Sequence, residues 1–208
     1  MTYTLDLVKK AQQHTVAWAG GTTTQIAIYP KQAEYNKRNF LWRLSSARVD
    51  LEESTFTALP GISRIIMVLA GEIRLEHQNH HTAKVKPYGQ DQFSGDWTTR
   101  CFGKASDLNL MLRAGCEGKL TALFLDAQQQ IAFADNGIVN STEGTTAFYC
   151  VDGNCEMTIG KAAYLLTAWD VLLIHHYIAQ EKLDFTIRNS EYNPVHIVQA
   201  DMYHKTAV

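Results

Sequence analysis

Two segments of the chain decide its fold: Met67-Val-Leu-Ala-Gly71-Glu-Ile-Arg-Leu75 and Tyr149-Cys-Val-Asp-Gly153-Asn-Cys-Glu-Met157. Each consists of an apolar run, a glycine turn and a second run in which apolar residues alternate with polar ones. Glycine permits the left-handed backbone that a tight turn between two strands often requires. The pair is a candidate internal repeat, although a strand–turn–strand unit is common in any β protein.

The rest of the chain shows the same short period. Apolar stretches of strand length alternate with Gly, Asn, Asp and Pro, and long helical stripes are nearly absent. One helix is predicted, from Leu5 to Gln13. The pattern predicts an all-β sandwich or barrel. The predicted strands cover residues 25–29, 41–49, 64–69, 72–75, 108–112, 120–125, 148–151, 171–174 and 183–187.

The composition argues against several classes of protein. Among 208 residues, 19 Lys and Arg stand against 21 Asp and Glu, so the formal charge is -2 and no nucleic-acid partner is expected. The longest apolar run, Ile65 to Ala70, is far shorter than the roughly 20 residues that cross a bilayer, and the start lacks the apolar core of a secretion signal. We expect a soluble, cytoplasmic protein with no membrane partner. Its four cysteines are expected to be reduced and packed as small apolar residues.

Five ordered blocks between residues 18 and 113 resemble the HutD/Ves family, and the repeated unit resembles the cupin barrel. The resemblance implies a bicupin, two fused cupin-like jelly-roll β-barrels. The N-terminal barrel would cover residues 1–118, and a degenerate C-terminal barrel would cover 119–208. The chain departs from the commoner family pattern at Ala19 and Gln25, where Arg and Glu are usual. The blocks are Trp18–Ile26, Phe40–Arg48, Phe56–Arg64, Phe93–Asp96 and Asp107–Met111.

Most cupin enzymes hold a metal through a His-x-His-x3-4-Glu set before the glycine turn and a further histidine in the second motif. Aligned on the first glycine turn, Ala58, Pro60 and Arg64 occupy the first three positions, and none of them can ligate a cation. In the second copy, His175 stands where a proline is usual and Gln180 where the histidine ligand would be. We therefore expect no metal and no cofactor in either barrel.

A separate histidine cluster, His77, His80 and His81, lies in and next to a polar run that predicts a hairpin loop. Two interpretations stay open: solvated loop side chains, and a zinc site. His175 and His176 end an apolar strand and are interpreted as structural.

Two predicted strands, 40–48 and 107–113, carry an apolar face and a polar face. Alternation with period two places their leucines and aromatic residues on one side of each strand. The period alone does not show whether the opposite faces meet solvent or an enclosed space. Those opposite faces carry Arg43, Ser45, Asp107, Asn109 and Met111.

Because these faces fall in the blocks that carry the family resemblance, we expect them to line a ligand cavity. An unpaired buried polar group costs about 1 to 3 kcal/mol, and a ligand would supply the missing partners. Arg43 and Arg64 offer planar forks to a carboxylate, and Asp107 and Asn109 suit an amide or amine. In the competing interpretation, an arginine pairs internally with Asp107. The candidate ligand-binding residues are Trp18, Thr24, Gln25, Arg43, Ser45, Arg64, Asp107, Asn109 and Met111.

The resemblance implies a regulatory binding protein of histidine utilisation or stress response. Its expected partner is a small carboxylate metabolite, with an N-acylated glutamate such as formylglutamate first. No catalytic residue is assigned. The main alternative is a metal-independent cupin isomerase or hydrolase with Asp107 or His175 as general base. Another is an interaction module with an exposed apolar patch. A homodimer formed through the outer sheets is also compatible with the sequence.

Overall fold

The computed structural model describes residues 3–135, 143–176 and 183–204. Contacts divide the chain into two compact units, one formed by Gln13–Cys116 and the other by Met1–Gln12 with Glu117–Val208. Each unit contains two antiparallel β-sheets, which confirms the all-β prediction. In the described ranges, the helical segments are two 3-10 turns, Lys10–Gln12 and Tyr35–Lys37, and no helix is long and apolar enough to cross a membrane.

The unit Gln13–Cys116 is built from a six-stranded and a four-stranded sheet. The larger sheet has the order β2-β3-β4-β11-β6-β9, with β2 His14–Trp18, β3 Gly21–Tyr29, β4 Trp42–Val49, β6 Ile62–Gly71, β9 Gln90–Ser94 and β11 Ala105–Arg113. The smaller sheet has the order β5-β10-β7-β8, with β5 Glu53–Thr55, β7 Ile73–His77, β8 Thr82–Val85 and β10 Thr99–Phe102.

Apolar side chains from both sheets form the core of this unit. Ile66 and Val68 of β6 belong to the same buried cluster as Ile73 and Leu75 of β7 and Cys101 of β10. These side chains are almost wholly removed from water. Burial of a large aliphatic side chain contributes about 1.5 to 3 kcal/mol, so this cluster is a principal source of the stability of the unit.

The other unit repeats the two-sheet plan. Its five-stranded sheet has the order β1-β17-β14-β19-β12, with β1 Tyr3–Val8, β12 Cys116–Leu125, β14 Glu143–Cys150, β17 Val171–His176 and β19 Val195–His204. Its four-stranded sheet has the order β13-β18-β15-β16, with β13 Gln130–Asp135, β15 Asn154–Ile159, β16 Ala162–Thr167 and β18 Leu183–Arg188.

The two segments that opened the sequence analysis occupy equivalent places in the two units. In one unit β6 leads through Gly71, at φ +83°, into β7. In the other, β14 leads through Gly153, at φ +64°, into β15. Both glycines have the left-handed backbone that residues with a Cβ rarely adopt. The repeat in the sequence therefore corresponds to a repeat in the structure.

The predicted helix at Leu5 to Gln13 is wrong. Residues 3–8 form the edge strand β1, which pairs along its whole length with β17, and only Lys10–Gln12 form a 3-10 turn. Leu5 and Leu7 pack against the core of the unit that contains Glu117–Val208. The partner strand and that core determine the conformation, because tertiary contacts override a weak local helix preference.

The boundary between the units lies after Cys116, two residues before the predicted division at residue 118. The first twelve residues were predicted to belong to the N-terminal barrel, whereas the structure groups them with Glu117–Val208. The physical reason is the pairing of β1 with β17, a strand more than 160 residues later in the chain.

Candidate functional site: a cavity with two buried arginines

Three neighbouring strands, β4, β11 and β6, place two arginines on one face of the larger sheet. Met111 on β11 lies directly opposite Arg43 on β4 and directly opposite Arg64 on β6. Residues that oppose each other across a ladder point to the same side of a sheet. The two guanidinium groups therefore project on the same side, separated by the methionine.

The next rows of the same face carry the other polar groups. Asn109 opposes Ser45 on β4, and Asp107 opposes Ala47 one row further along. The neighbouring strand β3 adds Gln25 opposite Ser45 and Thr23 opposite Ala47.

These rows line a cavity of about 230 Å³. A water molecule occupies about 30 Å³ in the liquid, so the space corresponds to roughly seven or eight waters or one small organic molecule. Its polar lining consists mainly of side chains from the sheet, and its apolar lining comes from β2 and the loops as well as from β4, β6 and β11. Seven predicted residues line it: Trp18, Arg43, Ser45, Arg64, Asp107, Asn109 and Met111.

Arg43 is held by neutral groups. Its Nε donates to Gln25 Oε1 at 3.0 Å and its Nη1 donates to Ser45 Oγ at 3.0 Å. The guanidinium carbon lies 4.4 Å from the centre of the Tyr35 ring. Only 4% of Arg43 is exposed, and burial lowers the pKa of its guanidinium. Its positive charge is thus desolvated and has no carboxylate in direct contact among the described residues.

Arg64 lies between two aromatic rings. Its guanidinium carbon is 4.8 Å from the centre of the Phe56 ring and 5.0 Å from that of Phe93. Burial lowers its pKa to about 10, against the opposing attraction of Asp107. Among the described residues its Nε has no hydrogen-bond partner. An unpaired donor on a buried cation is costly, so this group is ready to bind an acceptor.

Asp107 and Asn109 present unpaired oxygens in the same cavity. Oδ1 of Asp107 and Oδ1 of Asn109 are buried and have no hydrogen-bond partner in the part of the chain that the structure describes. Burial raises the pKa of Asp107 to about 7, although the nearby Arg64 charge acts to lower it. Within the described ranges, Asp107 forms no ion pair with Arg43 or Arg64. The structure therefore does not support the competing interpretation of an internal structural ion pair.

Two predicted residues have other positions. Thr24 does not line the cavity: it opposes Ser46 on the other face of the sheet, and its Oγ1 lies 2.8 Å from Oγ1 of Thr15. Thr23 lines the cavity in its place, because successive side chains on a strand alternate between faces. Gln25 is not a lining residue, and it contacts the site by orienting Arg43.

Sequence reasoning missed part of the cavity wall. Thr23 could have been predicted from the sequence, because residues two positions apart on a strand lie on the same face and Thr23 is two positions before Gln25. The remaining missed residues lie on strands β2, β4, β5 and β6 or in the segments between strands, and those outside the strands have no hydrophobic period that would mark them. They include Val16, Tyr35, Phe56, Thr57 and Leu59.

The residues at the cupin metal positions of this unit do not fit a metal. Ala58 and Pro60 have no ligating side chain, and Arg64 is a buried cation that would repel one. In the other unit, His175 bonds through Nδ1 to Thr145 Oγ1 at 2.9 Å. Gln180, at the remaining predicted ligand position, lies outside the described residues.

A larger depression of about 590 Å³, an open groove that includes Gly61, Ser94, Asp96 and Arg113, lies in the same unit. Asp96 there already accepts hydrogen bonds from the Ser94 hydroxyl at 2.8 Å and the Gly61 amide at 3.3 Å. Those hydrogen bonds lower the pKa of Asp96. Because its acidic group has partners, the groove is a weaker candidate than the cavity.

One member of the histidine cluster, His77, does not fit the interpretation as a solvated loop side chain, whereas His80 and His81 are exposed in the hairpin turn. The loop is a hairpin, as predicted, since β7 pairs with β8. However, His77 is 4% exposed and contacts Asp91 and Thr99 through its two ring nitrogens. His77 is the last residue of β7, and at this position its side chain points inward. The polar residues that follow it in the sequence do not reveal this.

The architecture and the cavity define the class of protein. Two two-sheet β units in one chain form a bicupin, and an oxalate decarboxylase from Lactobacillus farciminis, solved as a formate complex, has a similar fold. It shares 6% identity with a TM-score of 0.68 over 97% of this chain and 86% of that one. At such identity the likeness concerns the fold alone.

The chain belongs to the HutD family, because the model of that family matches residues 10–191. Two solved structures are similar over nearly their whole length. A conserved protein of unknown function from Pseudomonas aeruginosa PAO1 has a TM-score of 0.79 and 21% identity over 96% of this chain and 98% of that one. HutD from Pseudomonas fluorescens SBW25 has a TM-score of 0.66 and 19% identity over 95% and 98%.

A curated relative adds a sequence match. Protein Ves from Citrobacter koseri is 33% identical over 106 residues, which cover 48% of this chain and 53% of that protein. The match thus spans about half the length of the relative.

Proposed function

We propose that the cavity of Gln13–Cys116 binds a small acidic metabolite, with an N-acylated glutamate such as formylglutamate as the first candidate. The protein would act as a regulatory binding protein in histidine utilisation or in a stress response. Membership of the HutD family supports the direction of this proposal. The ligand itself is inferred from the chemistry of the cavity.

The observation that carries the proposal is an excess of buried positive charge. Arg43 and Arg64 both line the cavity, whereas Asp107 is the acidic group among its lining residues. With a pKa of about 7, Asp107 is partly protonated near neutral pH and neutralises less than one of the two cations. An anionic ligand would compensate this charge, and a carboxylate matches the planar fork of a guanidinium.

The unpaired oxygens support an amide group in the ligand. Asn109 Oδ1 requires a donor, and an amide N–H of an acylated amino acid is such a donor. Asp107 can accept a hydrogen bond from the ligand when ionised and donate one when protonated. Glutamate without the acyl group would bring a charged ammonium close to two arginines, which disfavours its binding.

Ligand-induced thermal stabilisation tests the proposal. We expect formylglutamate, at roughly 100 times its Kd, to raise the Tm by about 5 to 10 °C through binding linkage. Glutarate, which keeps both carboxylates and lacks the amide, should give a smaller shift. Arg43→Ala should remove the shift, and Arg43→Lys should restore only part of it, because lysine keeps the charge and lacks the fork.

The control variant is Arg48→Ala. Arg48 is on the same strand as Arg43, and its exposed side chain pairs with Asp50. Its replacement should leave ligand binding unchanged. If Arg43→Ala folds normally and binds with full affinity, the cavity is not the ligand site.

One observation favours a second function, a metal-independent isomerase or hydrolase. A carboxyl group with a pKa of about 7 suits general acid–base work at neutral pH. His175, the other predicted base, lies on β17 of the other unit, outside the set of residues that line this cavity. Turnover of an acylated amino acid or a sugar nucleotide that Asp107→Asn abolishes would favour the enzyme.

We also place the protein in the cytoplasm, with no nucleic-acid or membrane partner. All four cysteines are free, and three of them are buried, which suits a reducing compartment. A homodimer remains part of the proposal, and size-exclusion chromatography with light scattering tests it directly.

A further inference from the structure

A second polar cluster lies in the unit Gln13–Cys116. His77 ends β7, His81 precedes β8 in the hairpin turn, and Asp91 lies on β9. One potential ligand atom from each residue lies within 4.8 Å of the other two. Residues distant in sequence thus converge on one point.

Asp91 connects the two imidazoles. Its Oδ2 is 2.8 Å from Nε2 of His77, and its Oδ1 is 3.0 Å from Nε2 of His81. Around a tetrahedral Zn²⁺, ligand atoms at bond lengths near 2.0 to 2.1 Å lie about 3.3 Å apart. The two contacts of Asp91 would therefore open by a few tenths of an ångström around a metal ion, and the two imidazole nitrogens, which lie within 4.8 Å of each other, would take up the same separation.

The environment of His77 prepares it as a ligand. Its side chain is fully buried, and its other ring nitrogen, Nδ1, lies 2.8 Å from the Thr99 hydroxyl. Metal-bound histidines commonly have such a partner on the second nitrogen, which fixes the ring orientation and tautomer.

We propose that His77 Nε2, His81 Nε2 and the Asp91 carboxylate form a site for one divalent transition metal ion, with Zn²⁺ as the best match. Two imidazoles and one carboxylate are a common ligand set for such ions. The His81 side chain is 42% exposed, whereas that of Asp91 is 11% exposed. The exposed side provides the entry path and room for a water in the remaining coordination position.

The site is separate from the arginine cavity. The Phe93 ring lies between them, with its centre 4.5 Å from that of His77 and 5.0 Å from the Arg64 guanidinium carbon. A metal bound here would also link β7 of the smaller sheet to β9 of the larger sheet. We therefore expect the bound metal to raise the stability of the unit Gln13–Cys116. We also expect the metal to bind whether or not the acidic metabolite is present.

Isothermal titration of chelator-treated protein with Zn²⁺ alone tests the proposal. We expect one Zn²⁺ per chain, with affinity at least tenfold lower in His81→Ala and in Asp91→Asn. His81 and Asp91 are chosen because replacing the buried His77 endangers folding. His80→Ala is the matched control: His80 lies in the same turn but stacks on Trp97, with ring centres 3.7 Å apart. This variant should bind Zn²⁺ with wild-type affinity.

Cobalt provides a second readout. Co²⁺ bound in a tetrahedral site should give an intense visible absorption in the wild type and in His80→Ala, and a much weaker one in His81→Ala. Absence of stoichiometric Zn²⁺ binding, or unchanged binding by His81→Ala, overturns the proposal. Arg43→Ala should keep Zn²⁺ binding, so failure at the metal site and failure at the metabolite site are distinguishable.

Discussion

At the scale of single residues, Asp107 combines burial with a nearby cation. Only 3% of the residue is exposed, and desolvation raises its pKa to about 7 in spite of Arg64. The unfolded chain would release the same proton near pH 4. The native state therefore binds one more proton than the unfolded state between these two values, and stability falls as pH rises through this window.

Replacing this carboxyl group should remove that pH dependence. We expect the free energy of unfolding of the wild type, relative to Asp107→Asn, to fall by about 2 kcal/mol from pH 5 to pH 7. Urea denaturation of both proteins at the two pH values measures the difference. The exposed Asp50→Asn variant should show no comparable trend. An equal pH dependence in wild type and Asp107→Asn would contradict the buried, high-pKa carboxyl.

Thr23 and Thr24 are neighbours of the same residue type on opposite faces of β3. Thr23 lines the cavity, whereas Thr24 contacts Thr15 away from it. We expect Thr23→Val to weaken metabolite binding by roughly three- to tenfold, as loss of one hydrogen bond would do. Thr24→Val should leave the Kd unchanged. Calorimetric titration of both variants decides the matter, and equal effects would place the ligand elsewhere.

At the scale of elements, the turn after β6 holds the first copy of the repeated motif together. A Cβ on Gly71 would approach the carbonyl oxygen of Lys104 more closely than van der Waals contact permits. The backbone φ of +83° adds strain for any residue with a side chain. Gly71 is therefore fixed by both conformation and space.

A comparison with Gly115 distinguishes the effect of backbone conformation from the effect of limited space. Gly115 has a similar φ of +88°, and a Cβ there would meet nothing within 4 Å. We expect Gly115→Ala to cost about 1 kcal/mol from conformation alone, and Gly71→Ala to cost about 3 kcal/mol or more because the strands must also separate. Chemical denaturation of the two variants measures this. Equal losses would show that the close approach to Lys104 contributes nothing.

Strands were predicted correctly where their apolar pattern stands out clearly from the neighbouring sequence. β4, β6 and β11 were predicted from alternating or continuous apolar runs, and the structure confirms them. β1 was mistaken for a helix because its partner, β17, is distant in sequence. The short strands β5 and β10 have little local signal, since their pairing with each other and with β7 defines them.

At the scale of the whole molecule, the cavity belongs to one unit. All residues that line it fall within Gln13–Cys116. The segment from Thr55 to Leu59 contributes four lining residues, Thr55, Phe56, Thr57 and Leu59. Because this segment is mostly loop, its backbone amides should report ligand binding more sensitively than the central strands.

Hydrogen exchange tests the assignment of the site to this unit. Saturating formylglutamate should slow amide exchange in residues 55–59 by about tenfold or more. Exchange in β15 and β16 of the other unit should change little. Protection confined to the other unit, with none at 55–59, would contradict the assignment of the metabolite site.

The sequence by itself determined the β architecture, its duplication and the polar faces of β4 and β11. These properties depend on local period, which the alternation of a strand imposes on neighbouring residues. The resemblance to the HutD/Ves family, rather than the period, led to the expectation that these faces line a ligand cavity, with Arg43, Arg64, Asp107 and Asn109 among the candidates.

Only the tertiary structure decided which polar residues meet. The register of β3, β4, β11 and β6 places Thr23 rather than Thr24 on the cavity face, on the same face as Asp107 and the two arginines. Likewise, β9 lies close to the end of β7, so that Asp91 contacts His77 and His81. Register and sheet packing arise from contacts between residues distant in sequence, and a local pattern carries no information about those distances.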